Sequence, residues 1–461
     1  MSDSIPQREK HPPCDTGDWA TLVAMLPKGL DALAQQHGAL RRRRQIRSAE
    51  TQLRLLMLWV LSGFGLRSVA AWAARAELAL VTEGALRHRF RQSRPWIEAL
   101  LAAQLSSWLD ARAGKGAPLR LVDASMVAIP GGSGKCWRIH AVYDPLQTRL
   151  VEVEITDDKE GESLTRAKHA VGDLVVADRG LAHAAQLVAL SNRDVWWIVR
   201  AQLPNIVLND GTDRRIEVSE ITERAEHGDH ETAVKVVAKK QGCCEARLVV
   251  IPLPPGKAEI AREKLRKRAA KKGKSPDAVA LHLAGYVCLL TDLPEDVADS
   301  QTVLFWYRIR WQIELFFKRC KSLLNLHVIQ SQNEEMVRVY LLTMLLVASM
   351  IDRLNGTQPT MLADESGAQA VVELDSLEVT ATSLWRLTQI HRMDLLLAVA
   401  NSVPLDRRLL RREAADQRLR ERARKRHETS SVVALEDARR RLRALPAYTR
   451  RKRRETEAEA A

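Results

Sequence analysis

The sequence predicts an α/β protein in which a sheet-built core carries a β-rich insertion and is flanked by helical N- and C-terminal regions. Three observations predict it. Residues 1 to about 112 are patterned as helices, from about 117 the apolar residues come in short Val-rich runs separated by turns, and after 300 the helical pattern returns. A chain of 461 residues with 46% hydrophobic residues has apolar content for more than one core.

In the N-terminal region, Thr51 to Ser62 reads as an apolar helix that breaks around Gly63 and Gly65. The stretch LRSVAAWAARAELALVTEGALRHRFRQ (66–92) reads as two short helices, with Thr82 capping a second one that carries Arg87, His88, Arg89 and Arg91. Helix, turn, basic helix is an arrangement that enters a DNA major groove, which makes Arg87 and Arg89 candidate contacts, although many helical bundles share the pattern. Upstream, Arg41 to Arg44 form a run that serves either as a solvated charge cluster or as a phosphate grip.

The core begins with LRLVDASM, WRIHAVYD and RLVEVEITD, then a helical segment after Glu162, then DLVVADRG, a helix and DVWWIVR. Three consecutive strands followed by strand, helix, strand is the order of an RNase H-like core. Residues 201–285 read as the insertion, containing a hairpin-like stretch at 234–252 and a basic helix at 257–274 with nine Lys or Arg against two Glu. The regions are therefore 1–112, helical; 113–200, first part of the core; 201–285, insertion; 286–330, second part of the core; and 331–461, helical with an Arg-rich tail.

Lys and Arg outnumber Asp and Glu by 71 to 57, a net charge of +14, which favours a polyanionic partner through counterion release. The six cysteines (Cys14, Cys136, Cys243, Cys244, Cys288, Cys320) form no CxxC pair, so they read as reduced thiols and not as a disulfide frame or zinc site. MSDSIPQREKHPP has no apolar leader segment, and the most apolar run, Val339 to Ile351, is too short for a bilayer and reads as a buried helix. PGGSGK (130–135) imitates a phosphate loop, but Ile129 stands where the first Gly is needed and Cys136 follows Lys135 in place of Ser or Thr, so nucleotide hydrolysis is excluded.

Asp123 and Asp178 are each read at the end of an apolar strand. There the sheet fixes a carboxylate and the adjoining loop leaves room for a metal and substrate; the competing role is a turn Asp that caps the next helix. A third acid stands in YRIRWQIELFFKRCK (307–321). With Tyr307 at zero and about 100° per residue, Arg310, Glu314 and Lys321 fall at roughly 300°, 340° and 320°, one narrow face. Ile309, Ile313, Phe316, Cys320 and Leu324 fill the back of that helix. A surface ladder of ion pairs would produce part of this stripe, but it does not account for the tyrosine.

The spacing Tyr307–x2–Arg310–x3–Glu314–x6–Lys321, the LTDLP segment before it, and the Asp residues of VDAS and ADRG resemble the YREK signature and acidic triad of the insertion-sequence four family of bacterial DDE transposases. The separation of 136 positions from Asp178 to Glu314 suits that family's β-strand insertion. The resemblance implies a DNA transposase that cuts out its own insertion sequence and pastes it into a target. It implies that Asp123, Asp178 and Glu314 hold two Mg²⁺ ions, for which Mn²⁺ substitutes, and that Tyr307, Arg310 and Lys321 hold terminal phosphates. It also implies an aromatic that stacks a flipped base, for which Tyr286 is the nearest candidate. Tyr286 stands where the family has Trp, and packing in the core is its alternative. The implied partners are double-stranded DNA, as terminal inverted repeats and target, and a second copy in a homodimeric synaptic complex; the implied location is the bacterial cytoplasm at the nucleoid.

The chemistry agrees with the implication. Three clustered carboxylates repel one another unless divalent cations neutralise them, and oxygen-only donors favour Mg²⁺ or Mn²⁺. A nuclease of the same fold would share the acids without needing the Tyr-Arg-Glu-Lys face, and a DNA-binding relic has no reason to keep all three acids.

Overall fold

Capping and apolar spacing account for the N-terminal helices. α1 (Trp19–Ala24), α2 (Leu30–Gln36), α3 (Ala49–Ser62), α4 (Leu66–Arg75), α5 (Glu83–Gln92) and α6 (Arg94–Leu109) follow in order. The Ser48 hydroxyl accepts from the Thr51 N–H to start α3, which stops at Gly63 in the left-handed region (φ 70°). Thr82 accepts from the Ala85 N–H to start α5, as its sequence predicts; such a cap contributes ~1 kcal/mol. Most of α3 is buried, and the Trp59 ring packs on Phe90 of α5. In this computed structural model the described residues are 19–41, 43–109, 118–128, 130, 136–145, 147–201, 203–217, 220–221, 230–356, 374–400 and 405. Cys14, most of the PGGSGK segment and the basic tail lie outside them.

The Val-rich runs share one mixed sheet. β1 (Leu119–Ala128), β2 (Cys136–Asp144) and β3 (Arg149–Asp157) form an antiparallel meander, and β4 (Leu174–Ala177) and β5 (Trp196–Arg200) continue it in parallel, with α7 (Ala184–Ser191) between them. β6 (Val207–Asn209), the hairpin of β7 (His230–Ala238) and β8 (Gly242–Pro252), and β9 (Tyr286–Thr291) pair antiparallel. The order is β3-β2-β1-β4-β5-β9-β8-β7-β6. The insertion therefore does not form a sheet of its own. β9 pairs with β5 (Val199 opposite Leu290) and β8 with β9 (Val249 opposite Leu289), so the edge that β5 would expose is covered by these strands. Val175, Trp197, Val199, Leu248 and Leu290 are fully buried in this core, each worth ~1.5–3 kcal/mol of apolar burial.

Between β8 and β9 stand the basic helix α8 (Pro255–Ala270) and α9 (Ala278–Leu283). After β9 come α10 (Ser300–Ile309), which packs on β4, β5 and β9, and α11 (Trp311–Ser322). α12 (Glu334–Gly356) and α13 (Leu374–Ala400) complete the described helices. Val339–Ile351 lies buried inside α12, as predicted, and no described helix is long and apolar enough to cross a membrane. Two compact units result. One joins Met1–Ala113, Ile129–Ser133 and Lys318–Ala461; the other joins Gly114–Ala128 and Gly134–Phe317, and it contains the sheet.

Candidate active site

Parallel pairing of β1 and β4 runs from Leu119 opposite Leu174 to Val122 opposite Ala177. Asp123 and Asp178 are the next residue on each strand, just past the last paired positions of two strands that run about 4.8 Å apart. The expectation that Asp123 ends its strand needs correcting. β1 continues to Ala128 as a hairpin with β2; what ends at Asp123 is the pairing with β4. Asp178 does leave its strand, with extended backbone (φ −83°, ψ 173°), and precedes a single 3₁₀ turn.

A second correction concerns the Tyr-Arg-Glu-Lys helix. It is interrupted at Arg310, where Arg310 N–H bonds the Tyr307 carbonyl and Ile313 N–H bonds the Arg310 carbonyl, both at 3.2 Å. These three-residue turns tighten the chain and separate α10 from α11. Three of the four predicted residues nonetheless meet. The Tyr307 hydroxyl donates to Asp178 Oδ1 at 3.0 Å, Arg310 Nη2 donates to Glu314 Oε1 at 2.7 Å, and the Arg310 guanidinium lies 5.5 Å from the Tyr307 ring centroid. Lys321 occupies the last turn of α11, in the segment assigned to the other compact unit.

The two aspartates are driven in opposite directions. Burial pushes Asp123 up to about 6, against the Ala124 N–H and Arg310, and the nearby charges of Glu314 and Glu162 add to the rise. Burial also acts most strongly on Asp178, but Arg310, the Arg179 N–H, the Tyr307 hydroxyl and Arg200 together outweigh it, so this carboxyl lies below its usual range. Burial and the adjacent Asp178 push the Tyr307 phenol up to about 12, so it remains a donor at neutral pH. Among the described residues no three His, Cys, Asp or Glu side chains converge into a ready metal cage. Glu314 is turned to Arg310, and its side chain is 55% exposed. The donor chemistry fits a hard divalent cation, since Asp123 and Asp178 are neighbours and Glu314 lies within electrostatic reach of Asp123.

Sequence reasoning missed Glu162, whose carboxylate lies beside Gly180 in the Asp178 loop and acts on Asp123. It is hidden in the charge run DDKEGE (157–162), where nothing distinguishes one acid from another. Arg179 and Arg200 were also missed. They line a cavity of about 610 Å³ with Lys257, Lys264, Arg268 and Tyr286, and among the described residues no carboxylate lines it. Lys257, Lys264 and Arg268, spaced by seven and four, share one face of α8. The glutamates of α8 pair elsewhere: Glu259 with Arg266 at 2.7 Å and Glu263 with Lys267 at 2.6 Å. Tyr286 is buried at the start of β9, its ring 5.4 Å from that of His282.

On α5, Arg87 is exposed and pairs with Glu83 at 2.5 Å, whereas Arg89 is half-buried and donates to the Ala39 carbonyl at 3.1 Å. His88 and Arg91 are exposed on the same helix.

Comparison with known proteins places these residues in context. The family profile described as transposase DDE domain matches residues 114–350. The chain is 35% identical, over 73% of its length and 93% of theirs, to the InsL protein for insertion sequence element IS186A of Escherichia coli K12 and to the transposase for insertion sequence element IS421 of Escherichia coli. It is 21% identical to the transposase for insertion sequence element IS231B of Bacillus thuringiensis, over 68% of this chain and 73% of that one.

Proposed function

The chain belongs to the transposase DDE-domain family, and from that premise we propose that Asp123, Asp178 and Glu314 form the centre at which this transposase cuts and joins DNA strands. One observation carries the assignment. Two acids on neighbouring parallel strands share a corner with Arg310, which bonds Glu314, and with Tyr307, which bonds Asp178. The order β3-β2-β1-β4-β5, with β2 antiparallel and β4 and β5 parallel to β1, supports reading this half of the sheet as an RNase H-like core with the later strands as its insertion.

Asp123, Asp178 and Glu314 would hold Mg²⁺ or Mn²⁺, Glu314 after rotating away from Arg310. Two such ions supply activation of a water or 3′-hydroxyl and stabilisation of the departing oxygen. The chain's own residues do the rest. Arg310 attracts the phosphate between the acids, Lys321 holds a terminal phosphate of the DNA, and the Tyr307 hydroxyl holds Asp178 in place. The cationic cavity with Tyr286 at its edge receives a DNA strand leaving the centre, its cations on phosphates and its ring against a base. The exposed residues of α5 read the element's terminal repeats in double-stranded DNA. Excision by cut and paste needs two ends cut together, which a homodimer with one centre per end provides.

The test is substitution of the acids in the full-length protein, assayed on DNA bearing the element's own ends. Glu314→Ala, Asp123→Ala and Asp178→Ala each lose strand cleavage and strand transfer by orders of magnitude, since a metal ligand is worth several kcal/mol and each 1.36 kcal/mol is about tenfold. End binding persists, because removing an acid lowers repulsion of phosphate. Chelator abolishes wild-type activity, and Mg²⁺ or Mn²⁺ restores it. Near-normal nicking by Glu314→Ala would overturn the assignment.

A further inference from the structure

The first turn of α10 determines where Tyr307 stands and, beyond Arg310, where Glu314 stands. The insertion grips that turn. On β8, Arg247 donates from Nε to the Leu293 carbonyl at 2.6 Å and from Nη2 to the carbonyls of Ala298 at 2.6 Å and Pro294 at 3.4 Å. Its Nη1 donates to Glu231 Oε1 on β7 at 2.5 Å. Glu231 in turn accepts the hydroxyl of Ser300, the first residue of α10. One guanidinium thus ties together both ends of the 293–298 loop, and its carboxylate partner holds the helix that the loop leads into.

The pair is shielded, with side chains 12% and 22% exposed, so water competes poorly for these bonds. Asp299 adds the cap of α10, accepting from the Thr302 N–H at 2.8 Å. From Ser300 to Tyr307 the helix has no Gly or Pro and rises about 10 Å, a stiff arm that carries any displacement of its start to the Tyr307 hydroxyl. Only a planar fork reaches three carbonyls and a carboxylate at once; a lysine ammonium is a single point.

We propose that Arg247 and Glu231 are positioning residues for strand cleavage: they fix the start of α10 and thereby hold Tyr307 on Asp178 and Glu314 beside it. This gives the β-hairpin of the insertion a role in catalysis separate from any contact of its own with DNA. The proposal rests on the reading of Asp123, Asp178 and Glu314 as the catalytic centre.

Full-length Arg247→Ala, Arg247→Lys and Ser300→Ala are compared with wild type for single-turnover cleavage of end-bearing DNA, end binding and thermal melting. Arg247→Ala lowers cleavage by roughly tenfold or more and leaves end affinity within about twofold, a split that general destabilisation does not produce. Arg247→Lys fails to restore the rate. Tyr307→Phe costs much less in the Arg247→Ala background than in wild type, because the first change has already released the hydroxyl from Asp178. Wild-type cleavage by Arg247→Ala, or losses that simply multiply with Tyr307→Phe, overturns the proposal. Should Arg247→Ala fail to fold, Ser300→Ala carries the same cycle, and a multiplicative result there is equally fatal. Glu314→Ala separates the two readings. If it still cleaves, the centre was misassigned; if it is dead while Arg247→Ala is normal, only the positioning role falls.

Discussion

Asp123 and Asp178 stand one strand apart, yet their carboxyls are pushed opposite ways, because the Tyr307 hydroxyl and Arg310 favour ionised Asp178 while burial dominates at Asp123. Losing the Tyr307 hydroxyl removes a hydrogen bond to a charged acceptor, worth about 1.5–3 kcal/mol. Tyr307→Phe should therefore slow cleavage by roughly tenfold to a hundredfold with the ring still packed, and an unchanged rate would show that the Asp178 contact is incidental. A different acid governs a pH effect on stability. Asp292 accepts from the Trp197 N–H and the Ser191 hydroxyl, both at 2.8 Å, and burial pushes it up to about 6. Its folded value exceeds the unfolded one of about 3.9, so the folded state binds the proton more tightly. Its contribution is then most favourable at low pH and is lost as pH rises from about 4 to about 6. The urea midpoint of Asp292→Asn should accordingly rise relative to that of wild type across that window. Asp123 and Asp352, also raised to about 6, add slope of the same sign, while burial lowers His140 to about 4 and so adds slope of the opposite sign. Parallel curves for variant and wild type would rule out Asp292 as a contributor.

At the scale of elements, α5 shows how a basic helix divides its arginines between fold and surface. Arg89 donates to the Ala39 carbonyl, whereas His88 and Arg91 face solvent. Arg89→Ala should lower the melting temperature and weaken binding to terminal-repeat and random DNA alike. Arg91→Ala should leave melting unchanged and weaken the terminal repeat selectively. Competition binding with both DNAs checks this, and selective loss in Arg89→Ala would reverse the roles. The sequence carried the local signals well: Thr82 as a cap, the β7–β8 hairpin, the basic α8, and the narrow face of Tyr307, Arg310 and Glu314. It could not carry what long-range packing decides. The break at Arg310 has no Gly or Pro to announce it and coincides with the contacts to Asp178 and Glu314. The merging of the insertion into the main sheet depends on β5 pairing with β9, some ninety positions away. Arg89 and Arg247 look like any other arginine until the carbonyls they serve are known.

For the whole molecule the question is whether its +14 charge acts as a diffuse field or at sites. A diffuse field makes every cation equivalent. Discrete contacts do not, since each neutralised phosphate adds about −0.9 to the slope of log K against log salt. Lys257, Lys264 and Arg268 line a cavity with no acid among its described residues, whereas Arg214, Arg266 and Lys267 are paired with Asp210 or Glu220, Glu259 and Glu263. Replacing either set with Gln removes three charges, from +14 to +11, and so changes any diffuse field equally. If the cavity receives a DNA strand, its triple variant should flatten the salt slope by up to about 2.7, the value for three phosphate contacts. The paired set should change the slope far less, because its cations are already engaged by carboxylates. Equal changes in the two variants would assign DNA affinity to net charge alone. A flattened slope confined to the cavity variant, together with slower cleavage, would tie the α8 surface to the strand being cut.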